Sequence, residues 1–102
     1  MAKLIPNSLL EAIPNLYETE DVKDPLCHIK LFTPDSSFTW FIIECSKEDK
    51  NLCFAYVVGH ESELGYITLD ELEELRGPLG LAVERDTLFT PTLLSEVKRG
   101  VK

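Results

Sequence analysis

Cys27 and His28 stand side by side, and a thiol next to an imidazole is the pairing that makes cysteine a nucleophile. The segment that holds them, residues 26–33, alternates apolar and polar positions as a strand does. Neighbours on a strand point to opposite faces, so these two side chains cannot work together. Cysteine–histidine chemistry would instead require His60 to approach one of the cysteines. No GxSxG or comparable nucleophile motif is present. His60, Glu61 and Glu63 offer ligand types suited to zinc or manganese. With two histidines in the whole chain and no HxH or HxxxH spacing, a solvated polar loop accounts for them better. Arg76-Gly77-Pro78-Leu79-Gly80 carries the glycines of a phosphate-binding loop, but it follows a helical pattern instead of opening one. A helix stop and a turn explain it. Eighteen carboxylates provide no basis for choosing the acid pair of a glycosidase. The expectation is no catalytic residue, no metal and no cofactor.

Charge is more informative. Eighteen acidic against ten basic side chains leave a net charge of −8. Such a chain repels phosphate backbones and anionic membrane surfaces, so direct nucleic-acid or membrane binding is not expected. It is attracted to a basic protein surface, including one built to hold nucleic acid. The charge also serves solubility, which by itself would account for it. The charge is densest from Glu61 to Glu74, where Glu61, Glu63, Asp70, Glu71, Glu73 and Glu74 occur without a lysine or arginine. Two readings remain open. The stretch is either a solvated helix face or an electronegative contact surface for a basic partner, and in the second case these six residues bind it.

The elements that would position these residues follow from periodicity and turn chemistry. A short helix over SLLEAIP, capped by Asn7 or Ser8, should stop at Pro14. A polar loop ending at Pro25 leads to the strand 26–33, with Cys27, Ile29 and Leu31 on one face. Pro34-Asp35-Ser36-Ser37 is a turn, and residues 38–45 are β-branched and aromatic, which makes a hairpin. Leu52 to Val58 supplies a third strand, and Leu64 to Thr68 a short fourth. Ile29, Leu31, Phe41, Ile43, Ala55 and Val57 are expected to bury one common face. Thr68 and Glu71 form a capping box for a helix presenting Leu69, Leu72 and Leu75, and Gly77-Pro78 ends it. Residues 81–89 suit an extended segment. Thr90 and Pro91 open a last helix through Arg99. The fold class is α+β: a curved antiparallel sheet, a three-stranded meander plus one or two short strands, with two or three short helices covering one face. At 102 residues the chain is expected to form a single domain, 1–102.

Cys27, Cys45 and Cys53 each lie in an apolar stretch and show no CxxC spacing. Buried free thiols in a reducing cytoplasm fit them better than a disulfide or a zinc site. No apolar run approaches the ~20 residues that span a bilayer. Met1 to Ala12 carries a proline and an acid where a signal peptide would be apolar. A cytoplasmic location is expected.

Glu63-Leu64-Gly65-Tyr66, then LDELEELRGPLGL, then Glu84-Arg85-Asp86 resemble a family of small proteins of unknown function carried on plasmids, integrative elements and phages. Pro14 to Glu20, Phe32 to Ser36, Trp40, Phe89-Thr90-Pro91 and Leu94 to Val97 match the same pattern, so the resemblance covers nearly the whole chain. Its motif residues here, of unknown role, are Glu63, Gly65, Tyr66, Arg76, Gly77, Gly80, Glu84, Arg85 and Asp86. The resemblance implies a mobile-element protein with antirestriction-like neighbours and no particular activity. Arg76, Glu84, Arg85 and Asp86 could equally form a structural ion-pair network. With the charge argument, the expectation is a non-enzymatic inhibitor of a host defence complex, such as a CRISPR effector or a restriction enzyme, whose basic groove it occupies. A small enzyme or ligand-binding protein using the ELGY–RG–ERD residues is one alternative, and a structural partner in plasmid replication or conjugation is another.

Overall fold

The meander runs β2 (Ile29–Phe32), β3 (Thr39–Cys45), β4 (Leu52–Val58) and β5 (Ser62–Thr68), each strand antiparallel to the one before. In the computed structural model, which describes residues 4–100, β6 (Glu84–Arg85) adds beyond β2, giving the order β5-β4-β3-β2-β6. A separate two-stranded ladder joins β1 (Leu26–Cys27) to β7 (Thr92–Leu93). Among the described residues three short helices complete an α+β fold whose sheet is open: α1 (Asn7–Leu10), α2 (Leu69–Glu74) and α3 (Leu94–Lys98). Residues 1–3 and 101–102 of the expected 1–102 domain, with that part of the expected leader-free N-terminus, lie outside the described residues.

Both faces of the sheet are buried, by different partners. On the first face Leu31, Trp40, Ile42 and Ala55 pack with Leu10 of α1, Leu69 and Leu72 of α2, Ile5, Ile13 and Val83. On the second, Phe41 and Ile43 pack with Cys27 and with Leu94 and Val97 of α3. Two expectations are corrected by this. The helices do not all cover one face, and the expected core set is split between faces. Ile29 and Leu31 lie opposite Ile42 and Trp40, and cross-strand partners share a face, so Phe41 and Ile43 belong to the other one. Cys27 also leaves the Ile29–Leu31 face, because the strand expected over 26–33 breaks at His28 into β1 and β2.

A bulge in β3 changes the alternation again. Ile42 pairs with Ala55 but Glu44 pairs with Phe54, so Ile43 is the extra residue and Glu44 falls on the second face beside it. Without the bulge, Glu44 would enter the first core.

The helix ends show which local signals hold. Thr68 and Glu71 form the expected capping box, and Asn51 adds its Oδ1 as acceptor for the Asp70 N–H at 2.9 Å. Leu69 and Leu72 are buried, whereas Leu75 caps the C-terminus and is exposed. α1 begins after Pro6 with no side-chain cap, correcting Asn7 or Ser8 as caps. The last helix does not start at Thr90-Pro91. Pairing with β1 keeps Thr92 and Leu93 extended, and the Asp24 carboxylate caps α3 from outside by accepting from the Ser95 N–H (2.8 Å) and hydroxyl (2.7 Å). Those bonds hold Asp24 below the usual aspartate range.

The thiol expectation is corrected as well. Cys45 and Cys53 face each other across β3 and β4 with Cα atoms 4.1 Å apart and are joined as a disulfide. Only Cys27 is a free thiol, and burial, then the nearby Asp24 charge, pushes it up to about 12. Two buried apolar stretches placed in direct register give the bond, and sequence spacing of eight does not reveal that register. With two of the three thiols paired, the cysteines no longer point to a reducing compartment. No helix is long and apolar enough to cross a membrane among the described residues.

Candidate functional site

The acidic stretch does not form one continuous surface. Glu61 and Glu63 lie at the β4–β5 turn and the start of β5, and Asp70 to Glu74 lie on α2 at its far end. The five strand residues from Leu64 to Thr68 separate Glu63 from α2, about 17 Å of extended chain. Within α2 the carboxylates divide again. Glu71 is taken by the capping box, and Glu73 Oε2 accepts the Leu4 N–H at 3.0 Å, tying the N-terminal segment to the helix. Glu61, Glu63, Asp70 and Glu74 are exposed, with no side-chain hydrogen bond or ion pair among the described residues. Among the described residues the one ion pair is Lys30–Asp86, at 3.7 Å, toward the edge of the sheet opposite β5. No three histidine, cysteine, aspartate or glutamate side chains are grouped to hold a metal among the described residues, so His60, Glu61 and Glu63 do not converge. His60 instead packs edge-on to Phe38.

The family-motif residues also separate. Gly65 and Tyr66 are on β5 and Glu84 and Arg85 on β6, opposite edges of a five-stranded sheet. Four strand spacings put them about 19 Å apart. Arg76 donates to the carbonyls of Glu73 (3.0 Å) and Leu75 (2.8 Å), closing the C-terminus of α2. The loop after it is held by Asp35, whose Oδ2 accepts the N–H groups of Leu79 (2.7 Å) and Leu81 (3.3 Å). Gly77 is what lets that carboxylate approach, since a Cβ there would lie 1.6 Å from Asp35 Oδ1. Gly80 turns the loop at φ +84. Asp86 pairs with Lys30 and accepts the Leu88 N–H. Arg76 and Asp86 thus serve separate local closures, whereas Glu84 and Arg85 make no ion pair among the described residues and Arg85 Nε is buried without a partner, so the four charges do not form one ion-pair network.

Where side chains do converge is on the second face, around a residue the sequence reading passed over. Glu44 is buried at 3% exposure. Its Oε1 accepts the Tyr17 N–H at 2.8 Å, and its Oε2 accepts the Thr19 N–H at 2.9 Å and the Thr19 hydroxyl. These bonds hold Tyr17 in the left-handed region at φ 71, an unusual conformation for a residue of its size. The Tyr17 ring sits 6.5 Å from Tyr66, which is 5.1 Å from Phe54. Tyr17, Tyr66, Phe54 and Leu64, with Glu20, Lys23 and Lys98, line a cleft of about 330 Å³ over Glu44 and Ile43. The Tyr66 phenol is pushed above its usual range by desolvation, then by the adjacent Tyr17 hydroxyl and the Glu44 and Glu20 charges. One signal could have found the site: a single carboxylate inside the apolar run WFIIECS is a buried charge that needs partners.

A family model described as a protein of unknown function (DUF2958) matches residues 4–97. No curated protein and no solved structure matches the chain.

Proposed function

The chain belongs to the DUF2958 family, and we propose that it works by binding a basic protein surface. The observation that carries this reading is the exposure of Glu61, Glu63, Asp70 and Glu74 at the two ends of β5, with no internal cation to neutralise them among the described residues. Carboxylates left this way raise the energy of the free protein slightly and are relieved when a cationic surface arrives. A net charge of −8 steers the whole chain toward such a surface. Proteins that handle nucleic acid carry basic grooves, and a small acidic domain that occupies one blocks access to it. The specific reading is inhibition of a host defence complex, a CRISPR effector or a restriction enzyme, by a protein borne on a mobile element.

The test is the triple variant Glu61→Lys, Glu63→Lys and Glu74→Lys, which spares the carboxylates of Glu71 and Glu73 that hold the fold. Its melting temperature should stay within a few degrees of the parent, while inhibition of DNA cleavage by the effector weakens by at least about ten-fold, more at low salt. Full inhibition by the folded variant at limiting concentration would sink the reading.

A second reading rests on the cleft over Glu44. Its size and its aromatic lining suit a small ligand, with Tyr17, Tyr66 and Phe54 as the contacting rings. Loss of a ligand-induced shift of the Tyr66 ring resonances in a Tyr17→Ala variant is the outcome that distinguishes it from charge-driven docking.

A further inference from the structure

β5 is an edge strand, and its hydrogen-bond phase can be read from its ends. Leu69 donates to Asn51 O at 2.9 Å and Gly59 donates to Glu61 O at 3.1 Å. Both bonds lie in the register that pairs Leu52 with Thr68 and Val58 with Ser62. An antiparallel ladder alternates bonded and non-bonded pairs. Glu63, Gly65 and Ile67 are therefore the residues bonded to β4, and Ser62, Leu64, Tyr66 and Thr68 direct their N–H and C=O groups away from the sheet. The Thr68 N–H is taken by Glu71 at 3.4 Å. The groups of Leu64 and Tyr66 have no protein partner among the described residues.

Edge strands are usually protected by a lysine, a proline or a bulge, and β5 has none of these. Its side chains are sorted by face. Leu64 and Tyr66, 45% and 50% exposed, extend the second face, where they line the cleft, and Glu63 stands on the first. On that face Gly65 leaves open space, with nothing within 4 Å of an added Cβ. Glu61 and Asp70 flank the two ends of the strand.

We infer that β5 is a strand-addition site for an extended segment of a basic partner, alternating lysine or arginine with apolar residues. The backbone of the added strand pairs with Leu64 and Tyr66. Its apolar side chains lie against those two residues on the second face, and its cations lie on the first face toward Glu63, with Glu61 and Asp70 beyond. A second copy of this chain has the same exposed edge but would bring two bodies of −8 together, so charge favours the basic partner. The inference rests on the basic-partner reading above and adds the mode of docking.

The probe is a ten-residue peptide alternating lysine and valine, with a glutamate–valine peptide as control. Amide hydrogen exchange is followed on the unmodified chain. With the lysine peptide, exchange at Leu64 and Tyr66 should slow by about ten-fold or more, because each amide gains a partner. The control peptide should change nothing. Leu64→Pro removes an outward N–H that β4 does not use, so the fold should persist while binding is lost. If that variant does not fold, the exchange pattern of the unmodified chain decides alone. Binding of the lysine peptide without protection at Leu64 and Tyr66 overturns strand addition and leaves the basic-partner reading standing. No binding of the lysine peptide at any site fails both. Protection at Leu64 and Tyr66 without peptide, with dimers in sedimentation, overturns the partner strand in favour of a second copy.

Discussion

β3 and β5 are both seven-residue strands, separated in the sheet only by β4, yet they meet opposite environments. Every residue of β3 from Trp40 to Cys45 is buried, because α1 and α2 close the first face and α3 and Phe89 close the second. β5 has one paired edge and exposes most of its side chains. The inner strand is therefore where substitutions unfold the protein. The outer strand is where they change what it can touch.

The largest expected effect is at the centre of β3. Ile42→Ala should cost about 3–4 kcal/mol in denaturant unfolding, whereas Leu64→Ala on β5 should cost under about 0.5 kcal/mol. Equal losses would erase the contrast. Next is the disulfide that staples β3 to β4. Reductant should lower stability by about 2–3 kcal/mol, and a Cys45→Ala, Cys53→Ala variant should not respond to it. A parent chain equally indifferent to reductant would show that the bond contributes nothing in solution.

Glu44→Gln is a smaller change at the bulge. It keeps the shape but weakens bonds that Tyr17 and Thr19 donate to a carboxylate, for a loss of about 1–3 kcal/mol. Exchange at the Tyr17 and Thr19 amides should accelerate while β5 is unaffected. Smallest is the pH response of His28, whose backbone N–H donates to Ile42 O of β3. Desolvation lowers its pKa, so the unfolded chain binds the proton more readily than the folded one. Its contribution is present above the unfolded value near 6.5 and is lost as pH falls through the lower folded value. His28→Gln should flatten the stability profile in that window. An unchanged profile would assign the acid sensitivity elsewhere, for instance to Asp24 at α3, whose lowered pKa acts in a more acidic range.

Local chemistry made several elements legible. Turn residues and β-branched runs marked β2, β3, β4 and β5, and Thr68 with Glu71 marked the start of α2, because each signal acts within a few residues. The family pattern was legible too, from its ELGY, RGPLGL and ERD order. The acidic stretch was visible as composition but not as a surface. Sequence neighbours from Glu61 to Glu74 are spread along a strand and a helix, and Glu73 and Glu71 are spent on local bonds.

Sequence alone was enough for the α+β class, the antiparallel meander, the capping box and the net charge, since these depend on short-range periodicity or on simple sums. Register, the bulge, the Cys45–Cys53 bond, the Asp24 and Asp35 caps, and the cleft over Glu44 came only with the folded chain. Each joins residues through a pairing offset by one position or a contact across distant segments. A single-residue shift in β3 exchanges Phe41 for Ile42 in the first core and decides which face receives Glu44. Packing against helices from both ends of the chain selects that shift, and no local window contains them.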